Sequence, residues 1–175
     1  QAKYAGRLMN HSADSLFRHR IELIPNCGHS IDYSLTTPWL KTYKRNPYPH
    51  TFMWEDYPMD GQRRQGFYNL YVMKRPKAAD GLKDASGEDR DYYEMDIQDN
   101  VIRLSVKKVT YQTLERDPVY GIDLKFTKSY HPVIGGKWKI YLNDQLVDMN
   151  RPVTVFINDR KAFEGKLVPR MEDMI

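Results

Sequence analysis

The chain has 175 residues, enough for one full domain or for a small piece followed by one domain. Its 27 basic and 23 acidic residues are interspersed, so the net charge of +4 does not form the basic patch typical of nucleic-acid-binding proteins. Its single cysteine, Cys27, excludes an internal disulfide and a thiolate metal site. No apolar run approaches the roughly 18 residues of a membrane span. A hydrophobic content of 41% indicates a folded protein.

The first predicted element is a helix over residues 2–18. Small or apolar side chains recur there at the spacing of one helical face, at Ala5, Leu8, Met9, Ser12 and Leu16. No N-cap signal precedes Ala2, which indicates that the helix begins upstream. The chain also opens on Gln1, with no initiator methionine and no signal peptide. We therefore expect a fragment of a longer protein.

Residues 20–33 predict a strand that ends in a histidine loop. Ile21 and Leu23 alternate with charged residues up to Pro25, as in a buried strand that leaves its sheet. Gly28 permits a tight turn directly before His29. This arrangement is typical of a catalytic histidine at the carboxyl edge of an α/β sheet.

A second helix is predicted from Thr36 to about Lys44, with a hydroxyl N-cap and Pro38 at the first helical position. Two helices and one strand cannot close a core, since a lone strand leaves its backbone groups unpaired. Residues 1–45 are therefore interpreted as the incomplete C-terminal end of an α/β domain. Residues 46–50, with two prolines, are predicted to be a linker.

From residue 51 onward, alternation of apolar and polar residues replaces the helical period. Strands are predicted over residues 51–55, 66–74, 92–97, 101–109, 121–127, 137–142, 153–158 and 161–168. Residues 75–90, rich in Gly, Ala, Asp and Lys, predict a surface loop. Short strands separated by polar turns are typical of an antiparallel sandwich or barrel. The predicted fold is mostly β: a short α/β remnant, then an antiparallel β-sandwich over residues 51–175.

Two stretches resemble a known family. Residues 21–33, followed by Thr37-Pro-Trp-Leu-Lys-Thr-Tyr-Lys-Arg-Asn-Pro-Tyr-Pro49, resemble the end of the catalytic domain in secreted bacterial α/β-hydrolase-fold proteins. These are esterase- or prolyl-oligopeptidase-like enzymes. Residues 141–166, with the segment Leu146-Val-Asp-Met-Asn-Arg-Pro-Val-Thr-Val155, are similar to the last strands of a C-terminal β-sandwich extension in those proteins.

The resemblance implies a secreted or periplasmic serine hydrolase acting on an ester or peptide, possible substrates being glycans or peptides. His29 would be its general base and acid. The nucleophile of this fold sits in a Gly-x-Ser-x-Gly turn, which does not occur here, and the acidic partner falls upstream of Gln1. This chain alone is therefore expected to be inactive. Its partner would be the upstream hydrolase domain, and the β-sandwich would be structural or accessory.

The sequence disfavours a cysteine nucleophile and a metal site. Cys27 lies too close to His29 in a tight loop for nucleophilic catalysis and is interpreted as a buried structural thiol. The five histidines and the Asp-rich turns lack metal-ligand spacing, so neither a metal nor another cofactor is predicted.

Two alternatives stay open. The β region is alternatively a non-catalytic module that binds a glycan or a protein partner. Trp39, Trp54 and Trp138 would then form a stacking platform. Against this, alternation around Trp138 favours a core position, and residues 66–74 are largely apolar on both faces, which predicts a strand covered on both sides. Otherwise, residues 1–45 pack against the sandwich as a self-contained α+β domain.

Overall fold

A computed structural model of the protein describes residues 33–58, 60–79, 90–119, 121 and 123–168. The chain divides into two compact units, Gln1–Arg45 and Asn46–Ile175. His29, Cys27 and the helix and strand predicted before them lie outside the described residues. Their predicted structure and roles therefore stay predictions.

The described part of the first unit contains helix α1, Thr36–Lys41. It is shorter than predicted, and the predicted hydroxyl N-cap is wrong: Leu35 is the N-cap, and no side chain caps the N-terminus of the helix. The first two helical N–H groups instead donate to the carbonyl of Tyr33, at 3.1 and 3.2 Å. Pro38 is the third helical residue, still within the first turn, where a missing N–H breaks no helical hydrogen bond.

The described part of the second unit consists of strands. They are β1 (Thr51–Asp56), β2 (Gly66–Phe67), β3 (Leu70–Lys74), β4 (Lys77–Ala78), β5 (Arg90–Gln98), β6 (Val101–Arg116), β7 (Asp123–His131), β8 (Val133–Ile134), β9 (Lys137–Ile140), β10 (Val153–Ile157) and β11 (Arg160–Gly165). The prediction of a mostly β fold with antiparallel sheets is confirmed. Among the described residues, no helix is long and apolar enough to cross a membrane.

The larger sheet has the strand order β1-β5-β6-β10-β11, and β7 also pairs with β6. One pair departs from the predicted antiparallel pattern: β10 runs parallel to β6, with Thr154 opposite Val101 and Ile157 opposite Leu104. A parallel pair requires a long crossover between its strands. Here the intervening chain forms β7, β8 and β9 before it returns as β10.

A smaller sheet, β2-β3-β9, shares one hydrophobic core with the larger sheet. The buried core residues are Phe52, Trp54, Leu70, Val72, Tyr93, Met95, Ile97, Ile102, Leu104, Val106, Leu146, Val147 and Val153. Trp138, Ile140 and Leu142 pack against this cluster, which confirms the core interpretation of that alternating segment. Because Trp54 is buried and Trp138 packs on the core, neither forms an exposed stacking platform.

The prediction of a single strand over residues 66–74 is wrong. The chain turns at Tyr68, which has a φ of 51°, so the segment forms the hairpin β2-β3. Leu70 and Val72 are buried, whereas Met73 is 53% exposed, so the prediction that both strand faces are covered is also wrong. The turn contains one typical turn residue, Asn69, but its largely apolar surroundings in the sequence resemble a continuous strand.

Two further boundaries differ from the sequence prediction. The predicted loop 75–90 contains the short strand β4, which pairs with β8. Strand β6 continues to Arg116, well past the predicted end at residue 109, and pairs there with β7. Residues 111–116 are all exposed, so this extension has no apolar alternation for sequence analysis to detect.

Candidate functional site: a cleft beside strand β6

A row of charged side chains crosses the inner face of the larger sheet. Asp56, Asp91 and Lys108 are direct cross-strand neighbours on β1, β5 and β6, and all three are buried. Lys108 Nζ lies 2.7 Å from Asp91 Oδ1, and Arg75 forms ion pairs with both carboxylates. Burial, with a further contribution from Asp91, raises the pKa of the Tyr93 phenol. Since both carboxylates are paired with cations inside the fold, this row is a structural ion network.

On the outer face of the same sheet, four strands meet in an outer-face cluster, defined by Glu55, Arg90, Tyr111 and Lys128. The Glu55 carboxylate lies 2.7 Å from Lys128 Nζ and 3.2 Å from Arg90, and it accepts hydrogen bonds from the Tyr111 hydroxyl at 2.8 and 2.9 Å. Burial alone would raise the pKa of Glu55, but the hydrogen bonds from Lys128, Tyr111 and Arg90 outweigh it and lower that pKa. The cluster therefore joins β1, β5, β6 and β7 through one carboxylate.

Tyrosine rings extend this cluster along the sheet. The Lys128 ammonium lies 5.1 Å from the ring centroids of both Tyr92 and Tyr130. Arg90 lies over the Tyr57 ring at 3.9 Å. Cations and aromatic rings thus alternate over the outer face, at distances typical of cation–π contacts. Tyr130, which Lys128 contacts at one end of the cluster, also lines the neighbouring cleft.

The β6 cleft, of about 350 Å³, lies where β6 changes partner. Strand β6 pairs with β10 from Val101 to Leu104, and it pairs with β7 from Lys108 onward. One wall is the end of β7 with His131 and Pro132, and the other is the β10–β11 turn. The floor is formed by the β6 residues between these two pairings.

The side chain of Asn158 completes the β6 hydrogen bonds in this gap. Val106 N–H donates to Asn158 Oδ1 at 2.7 Å, and Asn158 Nδ2 donates to the Val106 carbonyl at 3.1 Å. The backbone N–H of Asn158 donates to the Leu104 carbonyl at 2.9 Å. Asn158 and Asp159 have φ values of 47° and 63°, as a two-residue hairpin turn requires. The Asn158 side chain thus makes hydrogen bonds to β6 that a neighbouring strand would otherwise make.

Two cations on the outer face of β6 line the cleft. Arg103 lies 4.8 Å over the Phe156 ring, and Lys107 lies 5.3 Å from the centroid of Tyr130. Among the described residues, no carboxylate lies within 4.0 Å of either cation. On a neighbouring wall, His131 Nε2 lies 2.9 Å from Thr110 Oγ1. The cleft therefore combines positive charge, aromatic rings and polar side chains.

All of these groups belong to the described residues. His29 lies outside the described residues, so its predicted catalytic role stays a prediction. Among the described residues, no group of three or more His, Cys, Asp or Glu is arranged to hold a metal ion.

The fold and the cleft define a mostly β protein with a surface cleft lined by two cations and by apolar and aromatic side chains. Comparisons with known protein families, with curated proteins and with solved structures return no match.

Sequence reasoning did not identify the cleft. Its residues come from three separate strands, and each has an ordinary alternating pattern that shows no chemical motif. The one local signal in the sequence is the polar pair Asn158-Asp159, which predicts a turn between the last two predicted strands. The turn is present, but the bond from its side chain to β6 depends on the parallel pairing of β10, which alternation does not encode.

Proposed function

We propose that this chain is the C-terminal part of a secreted or periplasmic serine hydrolase of the α/β-hydrolase type, in which the β region is an accessory domain of β-sandwich type. The observation that carries the proposal is the order of two sequence segments: a Gly28-His29 loop followed by Pro38-Trp39 and Asn46-Pro47, then the last strands near residues 141–166. The division of the chain between Arg45 and Asn46 supports it, since it separates Gly28-His29 and Pro38-Trp39 from the segment 141–166.

In the proposed parent enzyme, His29 takes the proton from an upstream serine hydroxyl as the serine oxygen attacks the ester or peptide carbonyl. The protonated imidazole then gives this proton to the leaving alcohol or amine, and an acyl-enzyme forms. Water attacks the acyl-enzyme in the second half, with His29 again accepting and returning the proton. The acidic partner that orients the imidazole also belongs to the upstream chain.

The test is the variant His29→Ala in the full-length parent protein. We expect turnover of a chromogenic ester to fall roughly 10³-fold or more, since the serine loses its base, while folding is retained. His19→Ala is the matched control, a histidine of the same segment for which no catalytic role is proposed. Activity of H29A equal to that of H19A would contradict the proposal.

A second candidate function is ligand binding by the β region without catalysis. The β6 cleft favours it, because two cations and two aromatic rings line a cleft that is open to a ligand. The discriminating measurement is the affinity of the 175-residue chain for oligosaccharides. Binding by this chain supports the module, whereas turnover by the parent enzyme tests the hydrolase proposal separately.

A further inference from the structure

The spacing of the two cleft cations fits a ligand that carries more than one negative charge. Arg103 and Lys107 lie four residues apart on one strand face, about 13 Å between their Cα atoms at roughly 3.3 Å per residue. A cation over an aromatic ring keeps N–H groups available for hydrogen bonds to an anion. By strand register, Asp96 lies opposite Arg103, and Glu94 lies opposite Ser105, between the two cations; Asp159 lies in the cleft wall.

The backbone of the cleft floor disfavours an extended peptide as the ligand. Peptides that add to a sheet edge gain their affinity from main-chain hydrogen bonds. Here the carbonyl of Leu104 and both backbone groups of Val106 are already bonded to Asn158. A ligand in this cleft is therefore recognised by side chains.

The remaining lining groups suit a polyhydroxylated molecule. Ser105 offers a hydroxyl that both donates and accepts, and Asp159 offers acceptor oxygens. The cleft volume of about 350 Å³ is at the lower end of ligand sites, which matches a short segment of a longer chain. We infer that the β6 cleft binds an acidic oligosaccharide, with Arg103 and Lys107 holding uronic-acid carboxylates and Ser105 and Asp159 contacting ring hydroxyls. This inference rests on the second candidate function and names its ligand class.

The test is calorimetric titration of the 175-residue chain with three uronic-acid trimers: galacturonate, mannuronate and glucuronate. The matched probes are the methyl esters of the same trimers, which keep the hydroxyls and lose the charge. We expect at least one acid to bind, its methyl ester to bind at least tenfold more weakly, and the affinity to fall as salt is added. A hexamer of glutamate serves as the acidic peptide probe and is expected not to bind.

Two double variants test whether the acidic trimer binds in the β6 cleft. The double variant R103Q/K107Q is expected to weaken binding of the acidic trimer at least tenfold. The matched control is K137Q/K139Q, which removes the same charge from β9, where Lys139 lies 5.1 Å over the Tyr141 ring, outside the cleft. It is expected to change affinity less than twofold. Circular dichroism confirms that both double variants retain the β fold.

Three results would overturn the inference. Equal loss in both double variants would show a general charge effect, and binding of the glutamate hexamer at the same affinity would show a polyanion surface. Equal affinity for acids and methyl esters would refute the acidic ligand while leaving a glycan-binding module in place. Absence of binding by all six sugars would refute the inference together with the glycan-binding form of the second candidate function. None of these outcomes bears on turnover by the parent hydrolase.

Discussion

Asp91 is a carboxylate of the inner-face ion network that pairs with two cations. Its side chain is fully buried, and its carboxylate compensates Lys108, which is also buried, and contacts Arg75. Asp91→Asn keeps the shape of the side chain but leaves the Lys108 ammonium without its compensating charge. We expect a loss of about 3–5 kcal/mol in the free energy of unfolding, the usual cost of breaking a buried ion pair from one side. Urea unfolding followed by tryptophan fluorescence measures it.

Two comparisons sharpen this prediction. Glu94→Gln changes an exposed residue of the same strand and should alter the free energy of unfolding by less than about 0.5 kcal/mol. The double variant D91N/K108M removes both charges and should recover part of the loss, since no uncompensated buried charge remains. If D91N were as stable as E94Q, the ion network would not stabilise the fold.

The sequence predicted the apolar residues of this face but not the ions among them. Ile102, Leu104 and Val106 alternate on β6, and all three are buried as expected. Lys108 continues the same alternation, so its side chain is also buried. Alternation alone predicts an apolar side chain at this position. Its partner Asp91 lies on another strand, so the pairing depends on strand register, which the local pattern does not specify.

At the scale of elements, Glu55 joins four strands and gives them a pH dependence. Its pKa lies below the ordinary value of 4.5 in the folded protein. The charged carboxylate therefore contributes stability that is fully present above that ordinary value and is lost as the pH falls through the lower, folded-state pKa. Glu55→Gln should lower the free energy of unfolding by up to about 1 kcal/mol at pH 7, as expected for a partly exposed ion pair.

The pH profile separates this effect from a simple packing change. The stability difference between the wild-type protein and E55Q should shrink as urea unfolding is repeated at decreasing pH below about 4.5. Glu115→Gln, an exposed carboxylate near the end of β6, is the control and should show no such difference. A difference between wild type and E55Q that stayed constant down to pH 2 would assign the effect to packing.

Element boundaries were predictable where one face of a strand is buried. Strand β10 follows its predicted range closely because Val153, Val155 and Ile157 alternate toward the core. Beyond Thr110, strand β6 pairs with β7 and its residues are exposed on both faces, so this part carries no hydrophobic signal. Cross-strand hydrogen bonds join backbone groups, so they can extend a strand whose residues show no strand pattern.

At the scale of the whole molecule, the second unit contains its own core. Both of its main sheets contribute buried residues to one cluster, and each residue of that cluster lies after Asn46. The mostly β class was predictable because alternation is local. The parallel pairing of β10 with β6 was not, since it joins segments about 50 residues apart.

This arrangement predicts that Asn46–Ile175 folds without the preceding residues. A unit with its own core and sheets meets the physical condition for independent folding. The free energy of unfolding reported by Trp54 and Trp138 should stay within about 1 kcal/mol of that of the 175-residue chain. The matched reference is the full chain carrying Trp39→Phe, which removes the tryptophan that the truncation also removes. A truncated chain that lacked a cooperative unfolding transition would show that residues 1–45 are required for the β fold, as the self-contained α+β alternative demands.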